Sequence, residues 1–490
     1  MRVNFNLRRV FRVLGILLIF ESLLLFGVCP VSLYYGESDL WSFVNAGVMA
    51  LLTGLGLSAF GWRASKQVTK REGAVIVSSV WVLFSLFGML PFLFTGVLEN
   101  VSDALFESMS GFTACGATVM TQIDQAPHGI LFWRSLMQWV GGIGIIMISL
   151  ALLPIFGFSG TMLFGAEFSG PTKEKLSPKV SGTAKRLGMI YLGLTLVQIV
   201  CLNVAGMNVF DSVCHSMTTA ATGGFSTHQA SVAYFHNPLF ECIIIVFMFL
   251  SGVNYTLYWY AFSGKFRRKV LHNGELYSYL ILVLLFFAIL LFFMVEETHL
   301  TDLNRLGGLV RDCLFQVVSI ITTTGFTTTD YMMWPSLTWI MIFLLMFFGA
   351  NAGSSSGGIK VVRIVIAFKY CYYEFKRMVH PNAVIPISYN GSFMRTDIVT
   401  RVLAFILLYI IVVVVCMMVL SFTGMGALEA VGAAVACLGT IGPAFGDLGP
   451  SGTFAGVPEF CKYFLSFVML IGRLELFTVL LLFTPVFWSR

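Results

Sequence analysis

Apolar positions gather in ten long stretches: Val10 to Cys29, Trp41 to Gly61, Gly73 to Gly96, Phe132 to Phe158, Thr183 to Ala205, Pro238 to Phe262, Leu276 to Val295, Leu337 to Tyr373, Thr396 to Phe422 and Lys462 to Trp488. A hydrocarbon core about 30 Å thick takes about 20 apolar residues of helix, so each stretch predicts one membrane span. Lys and Arg collect in alternate connections. They stand at Arg2, Arg8, Arg9 and Arg12, at Arg63, Lys66, Lys70 and Arg71, at Lys173, Lys175, Lys179, Lys185 and Arg186, at Lys265, Arg267, Arg268 and Lys269, and from Lys369 to Arg401. The positive-inside rule makes these connections, and both termini, cytoplasmic. The opposite connections, near Glu37, Asp103 and Asp302, are acidic or poor in Lys and Arg and are expected outside.

Composition sharpens this picture. Of 490 residues, 57% are hydrophobic and 11% charged, and the mean hydropathy is +0.87. Soluble domains carry about 25% charged residues, so the chain reads as an integral membrane protein. The net charge of +6 follows the topology, and nucleic-acid binding is excluded. Ten cysteines stand singly, with no C-x-x-C pair to signal zinc or redox chemistry. The basic start and long first apolar run lack a small-residue cleavage site, and predict a retained span.

The outward connections after the third, fifth, seventh and ninth spans are too long and apolar for simple loops, and they repeat. Each runs from an acid to a glycine: Asp103 to Gly116, Asp211 to Gly223, Asp312 to Gly325, Glu429 to Gly442. The pattern predicts helix, short half-helix, small-residue loop, helix, four times. An acid at the half-helix N-terminus complements the positive end of the macrodipole and serves as a cap, and four of them would also concentrate cations at a mouth.

Main chain that is neither helix nor closed barrel is not tolerated against lipid. The loops Thr113, Ala114, Cys115, Gly116, Ala117; Ala220, Ala221, Thr222, Gly223, Gly224; Thr322, Thr323, Thr324, Gly325, Phe326; and Gly439, Thr440, Ile441, Gly442, Pro443 are therefore expected to line an ion path. Rings of their carbonyls replace the hydration shell of an alkali cation, with ion contacts expected at Cys115, Gly116, Thr222, Gly223, Thr324, Gly325, Ile441 and Gly442. No carboxylate falls in the four loops, which favours a monovalent ion. In the eighth span, Gly349, Ala350, Asn351, Ala352, Gly353, Ser354, Ser355, Ser356, Gly357 and Gly358 cannot continue as an ordinary helix. This break is expected just inside the loops, either as a gate or as a static kink. Lys360 and Arg363 are read as residues reaching the inner vestibule, Glu107 as a hydrogen-bonded brace, and Arg473 as either a cation on the path or a partner of Glu475.

The ordered set of four loops, the Gly-Ser break and the Gly-Arg-Leu-Glu segment at 472–475 resembles the TrkH branch of the Trk/Ktr/HKT potassium transporters. The resemblance covers the chain from about Gly73 onward, and the first two spans match an extra N-terminal pair. It implies an all-α polytopic membrane protein with four membrane-pore-membrane repeats around a central ion pore. The expected divisions are 1–72 (the extra pair), 73–165, 166–265, 266–380 (with a gating loop at 349–358) and 381–490. It also implies potassium uptake in a bacterial cytoplasmic membrane, a homodimer, and control by a cytoplasmic nucleotide-binding ring of the TrkA type. Gate elements would be the 349–358 loop with Lys360 and Arg473, potassium the transported and loop-bound ion, and no organic cofactor is expected. Two departures stand out: Cys115 where threonine is frequent, and Gly439-Thr-Ile-Gly where Asn-Asn-Thr-Gly is usual. An enzyme is disfavoured because no catalytic cluster lies in the spans. A proton- or sodium-coupled symporter is the alternative, weakened by the scarcity of mid-membrane carboxylates.

Overall fold

The computed structural model describes residues 5–64, 68–155, 180–264, 269–298, 303–383, 385–390 and 392–488. Outside them fall Arg2, Lys66, Lys173, Lys175, Lys179, Lys265, Arg267, Arg268 and Asp302, the end of the fourth expected span at 156–158, and the boundaries at 165/166 and 265/266.

The first two helices, Leu7–Tyr35 and Leu40–Phe60, pack closely because glycines leave room for backbone. A Cβ on Gly15 would lie 2.6 Å from the Gly54 carbonyl oxygen, and one on Gly61 would lie 2.4 Å from that of Arg8. This small-residue seam is how helices associate where lipid provides no hydrophobic drive. The next helix, Lys70–Gly88, opens with a capping box between Thr69 and Glu72. The Glu72 carboxylate also accepts from the Asn6 backbone N–H at 2.7 Å and from Arg9 Nη1 at 3.3 Å, tying the N-terminal pair to the first repeat.

Four units of helix, half-helix, loop and helix follow the N-terminal pair, making an all-α polytopic membrane protein. The half-helices are Val101–Thr113, Val209–Ala220, Leu303–Ile321 and Ala427–Gly439. The acids are not the caps. Asn100, Asn208 and Gly426 hold the N-cap positions, and Asp103, Asp211 and Glu429 sit in the first turn, where the macrodipole argument still applies. Asp312 lies well inside a half-helix that begins at Leu303.

Three expected continuous spans are broken. Among the described residues six helices are individually long and apolar enough to cross a membrane, and eight spans result if each of two bent pairs is one span. Pro238–Ser251 and Tyr255–Phe262 meet at 93°, and Glu459–Arg473 meets Leu476–Phe483 at 115°. The third break separates Ser336–Leu345 from Val361–Val379 and is the Gly-Ser stretch. The first bend and the Gly-Ser stretch explain each other. Asn351 N–H donates to the Gly252 carbonyl at 3.1 Å, and Tyr255 N–H donates to that of Gly353 at 3.2 Å. Backbone groups that would continue one helix are satisfied by the other break, as a low-dielectric interior requires.

Candidate ion-conduction site

The four loops share one backbone course. After each half-helix one residue turns left-handed, Ala114 (φ 52°), Thr222 (φ 54°), Thr323 (φ 56°) and Thr440 (φ 53°). One ordinary residue follows, then a glycine with positive φ: Gly116 (88°), Gly224 (76°), Gly325 (81°) and Gly442 (103°). The half-helix ends are tied identically, with Cys115, Gly223, Thr324 and Ile441 N–H donating to the carbonyls of Ser110, Thr218, Ser319 and Ala436 at 2.8–2.9 Å. This corrects the expected register of the second loop, in which Gly224, not Gly223, is the counterpart of Gly116, Gly325 and Gly442. The acid spacing carried that signal, because Gly224 lies thirteen positions after Asp211, as the other three glycines do after their acids.

The loops close head to tail. A Cβ on Gly116 would stand 2.2 Å from the Gly223 oxygen, one on Gly224 would stand 1.9 Å from the Thr324 oxygen, one on Gly325 would stand 1.9 Å from the Ile441 oxygen, and one on Gly442 would stand 3.0 Å from the Cys115 oxygen. Each ring glycine thus lies against the carbonyl of the residue before the ring glycine in the neighbouring loop, around a closed cycle of four. All four ring glycines line one cavity of about 70 Å³, together with Arg134 and His228.

Side chains brace the loops from behind. Glu107 accepts from Val119 N–H at 2.9 Å and from Thr118 Oγ1 at 3.0 Å, so it holds the first loop as it leaves the ring. At the equivalent place His215 meets Ser226 Oγ at 3.0 Å, and Gln316 Nε2 donates to the Thr329 carbonyl at 3.3 Å. His215 Nδ1 faces the Asp211 carbonyl at 2.9 Å and must donate to it, which leaves Nε2 to accept from the serine hydroxyl. The fourth repeat has Ala433 there, and Tyr331 Oη donates to Ala444 O at 2.7 Å instead.

Three of the four acids at the half-helix starts have polar side-chain partners. Thr227 Oγ1 donates to Asp211 at 2.5 Å and Thr328 Oγ1 to Asp312 at 3.5 Å, an equivalent pair of contacts in two repeats. Lys462 Nζ reaches Asp103 at 2.5 Å, and Glu429 packs beside Gly446. His228 Nδ1 lies 2.8 Å from Asp124 and its Nε2 lies 3.5 Å from Asp211, bridging the first and second repeats. Burial pulls the His228 pKa down, but the two carboxylates outweigh it and the net value is raised.

The 349–358 loop sits against the inner ends of the half-helices. Ser355 Oγ donates to Ala220 O at 3.0 Å, and Gly357 N–H donates to Thr323 Oγ1 at 2.8 Å. A Cβ on Gly357 would stand 2.5 Å from the Gly439 oxygen, so the loop touches repeats two, three and four at once. Arg473 donates to the carbonyls of Ser355 and Gly141, each at 2.8 Å, tying the loop to the first repeat's second helix. Glu475, the partner in one of the two readings of Arg473, is held by Arg363 at 2.6 Å. Lys360 and Arg363 are buried, and Lys360 Nζ donates back to the Ser356 carbonyl, so neither reaches out toward a vestibule. The lysine folds back because the loop's own carbonyls are its nearest acceptors.

Two residues at the centre of the site went unread in the sequence. Arg134, 1% exposed, donates to Glu107 (2.8 Å), Ser226 O (2.9 Å) and Thr118 Oγ1 (3.2 Å) and lies 4.1 Å from the Phe225 ring centroid. Gln138, one turn on, donates to Gly223 O at 2.7 Å and accepts from Phe225 N–H at 3.0 Å. The signal was present: a charge and an amide four apart in an apolar stretch are costly and default to a functional role.

The model of the TrkH family, described as cation transport protein, matches residues 41–489. A Trk system potassium uptake protein TrkH from Salmonella typhimurium is 38% identical over 99% of this chain and all of its own length. Trk system potassium uptake protein TrkG from Escherichia coli is 33% identical over 99% of both chains. The crystal structure of the potassium transporter TrkH from Vibrio parahaemolyticus superposes with a TM-score of 0.89 at 36% identity, covering 99% of this chain and all of that one. The chain belongs to the TrkH family of cation transport proteins.

Proposed function

We propose that this chain carries potassium into the cell through a pore whose selectivity filter is the ring of four loops. The observation that supports it is the closed cycle of ring glycines, each against a carbonyl oxygen of the next repeat. Oxygens gathered so from four repeats can replace the hydration shell of a dehydrated alkali ion. The relatives named potassium uptake proteins support potassium as that ion. The ion contacts are Cys115 and Gly116, Gly223 and Gly224, Thr324 and Gly325, Ile441 and Gly442, with Thr222 at the turn before the second pair. Repeat divisions at 73–165, 166–265, 266–380 and 381–490 accord with the four half-helices.

The 349–358 loop is the gate. Its hydrogen bonds to Ala220 O and Thr323 Oγ1 hold it against the inner end of the ring, and Arg473 latches it through Ser355. Opening requires those bonds to be exchanged for others, which suits control by a cytoplasmic nucleotide-binding ring of the TrkA type acting on a homodimer. Asp103, Asp211, Asp312 and Glu429 serve the mouth by fixing the outer ends of the loops. The membrane is the bacterial cytoplasmic membrane, with both termini inside.

Rubidium uptake into proteoliposomes tests this. Flux down the ion gradient, blocked by potassium, with no change in lumenal pH and increased by Arg473→Ala, is expected. Obligatory proton or sodium movement would replace the pore by a symporter, and reduced flux in folded Arg473→Ala would overturn the latch.

A further inference from the structure

We infer that Gln138 is a positioning residue for the ring. It stands in, from the neighbouring repeat, for a side chain that the second loop lacks, and through Gly223 it tunes discrimination among alkali cations. The inference rests on the filter reading above. Before each ring glycine the first, third and fourth loops carry Cys115, Thr324 and Ile441, whereas the second carries Gly223. Nothing in the backbone at Gly223 demands glycine, because its φ is not in the left-handed region. What is missing is space. A Cβ there would stand 2.4 Å from Gln138 Cδ, 2.5 Å from its Oε1 and 2.9 Å from its Nε2.

Gln138 is fully buried on the helix His128–Ile155, which belongs to the first repeat. Its amide donates to the Gly223 carbonyl and accepts from Phe225 N–H, spanning the second loop on both sides of Gly224. The Gly223 oxygen is the one that Gly116 of the neighbouring loop packs against. Among the described residues no side chain donates to the corresponding carbonyls of Cys115, Thr324 or Ile441. One of four otherwise equivalent oxygens is thus fixed and polarised by an amide, with a second lone pair left for an ion. Arg134, on the same helix face, holds Ser226 O, so the second loop is gripped at 223, 225 and 226 by one element of another repeat.

The test uses full-length protein, checked for a monodisperse elution profile and reconstituted, with rubidium uptake measured against sodium competition. Gln138→Ala should lower rubidium-over-sodium discrimination several-fold. Gly223→Ala should lose flux by collision with the amide, and the double variant Gly223→Ala with Gln138→Ala should regain flux because the methyl enters the vacated space. Gln138→Glu supplies a readout that a purely structural role would not move. Ionised, it faces Gly223 O with no donor; protonated, it donates again, so discrimination should fall at high pH and recover at low pH. Unchanged discrimination in folded Gln138→Ala, or a pH-independent Gln138→Glu, overturns the inference. Gly116→Ser separates the two levels: if it shifts discrimination and the Gln138 variants do not, only this inference fails, and if it too leaves the ratio unmoved, the filter reading fails with it.

Discussion

Gly325→Ala puts the head-to-tail packing of the ring under direct strain. Gly325 has φ 81°, and its Cβ would stand 1.9 Å from the Ile441 oxygen and 2.9 Å from Pro443 Cδ. A relaxed carbon–oxygen contact is about 3.3–3.6 Å, so the oxygen must retreat by more than 1 Å for the methyl to fit. The left-handed backbone adds about 1–2 kcal/mol, and overpacking a close contact adds about 1–3 kcal/mol. Together that is about 2–5 kcal/mol, large against the whole stability of a domain. If the fold holds, the strain is relieved where the ring is free to open, by displacing the Ile441 carbonyl. The fourth repeat is the place where it yields, since Ala433 gives that loop no polar brace from the position that Glu107, His215 and Gln316 occupy. Thermal unfolding of the detergent-solubilised protein gives the stability cost, and rubidium against sodium uptake gives the displacement. A well-folded Gly325→Ala with unaltered stability and unaltered discrimination would refute the close approach itself.

Arg134→Met strands Glu107 in a buried site. Breaking a buried pair from one side costs about 3–5 kcal/mol, whereas Arg134→Met with Glu107→Gln should cost less than the single change, because no charge is left behind. Thermal unfolding of the two variants checks the order, and a double variant less stable than the single would contradict it. His228 gives a pH dependence. Its raised folded pKa means that the imidazolium contacts with Asp124 and Asp211 stabilise fully below the ordinary value of 6.5 and fade as pH rises through the raised one. The melting temperature should therefore fall across that window in the native chain and fall less in His228→Gln; equal slopes would dismiss the bridge.

Much of this architecture was legible as pattern. Apolar runs of helix length located the spans, and the acid-to-glycine recurrence located the half-helices. The bends at Gly252–Asn254 and Glu475 were not read as breaks, although Ser251-Gly-Val-Asn254 and Gly472-Arg-Leu-Glu475 interrupt the apolar runs there, because polar residues in a span do not by themselves say that the helix turns. What bends the chain at Gly252 is a long-range exchange of backbone hydrogen bonds with Asn351 and Gly353, and no local propensity encodes a partner a hundred residues away. The slip at Gly223 has a different origin. Two adjacent glycines offered two registers, and residue type alone favoured the one that keeps Thr-Gly in line with Thr324–Gly325. Backbone hydrogen bonds decide for the other, since Gly223 N–H occupies the place of Cys115, Thr324 and Ile441 N–H.

That register also bears on how a fourfold arrangement tolerates four different sequences. The main chain repeats closely, with one left-handed residue, one ordinary residue and one glycine in every loop, and an ion facing main-chain oxygens is indifferent to side-chain identity so long as those oxygens stay in place. The supports behind them are free to diverge provided each satisfies the polar groups that the loop leaves exposed in a dry interior. They have diverged: an ion pair in the first repeat, a histidine–serine contact and a borrowed glutamine in the second, a hydroxyl from Ser319 to Phe326 O at 2.7 Å in the third, and a tyrosine from the preceding repeat in the fourth. A single buried brace is therefore matched to its own loop, and moving it to another repeat without its partners would leave an unpaired polar group at both ends of the exchange.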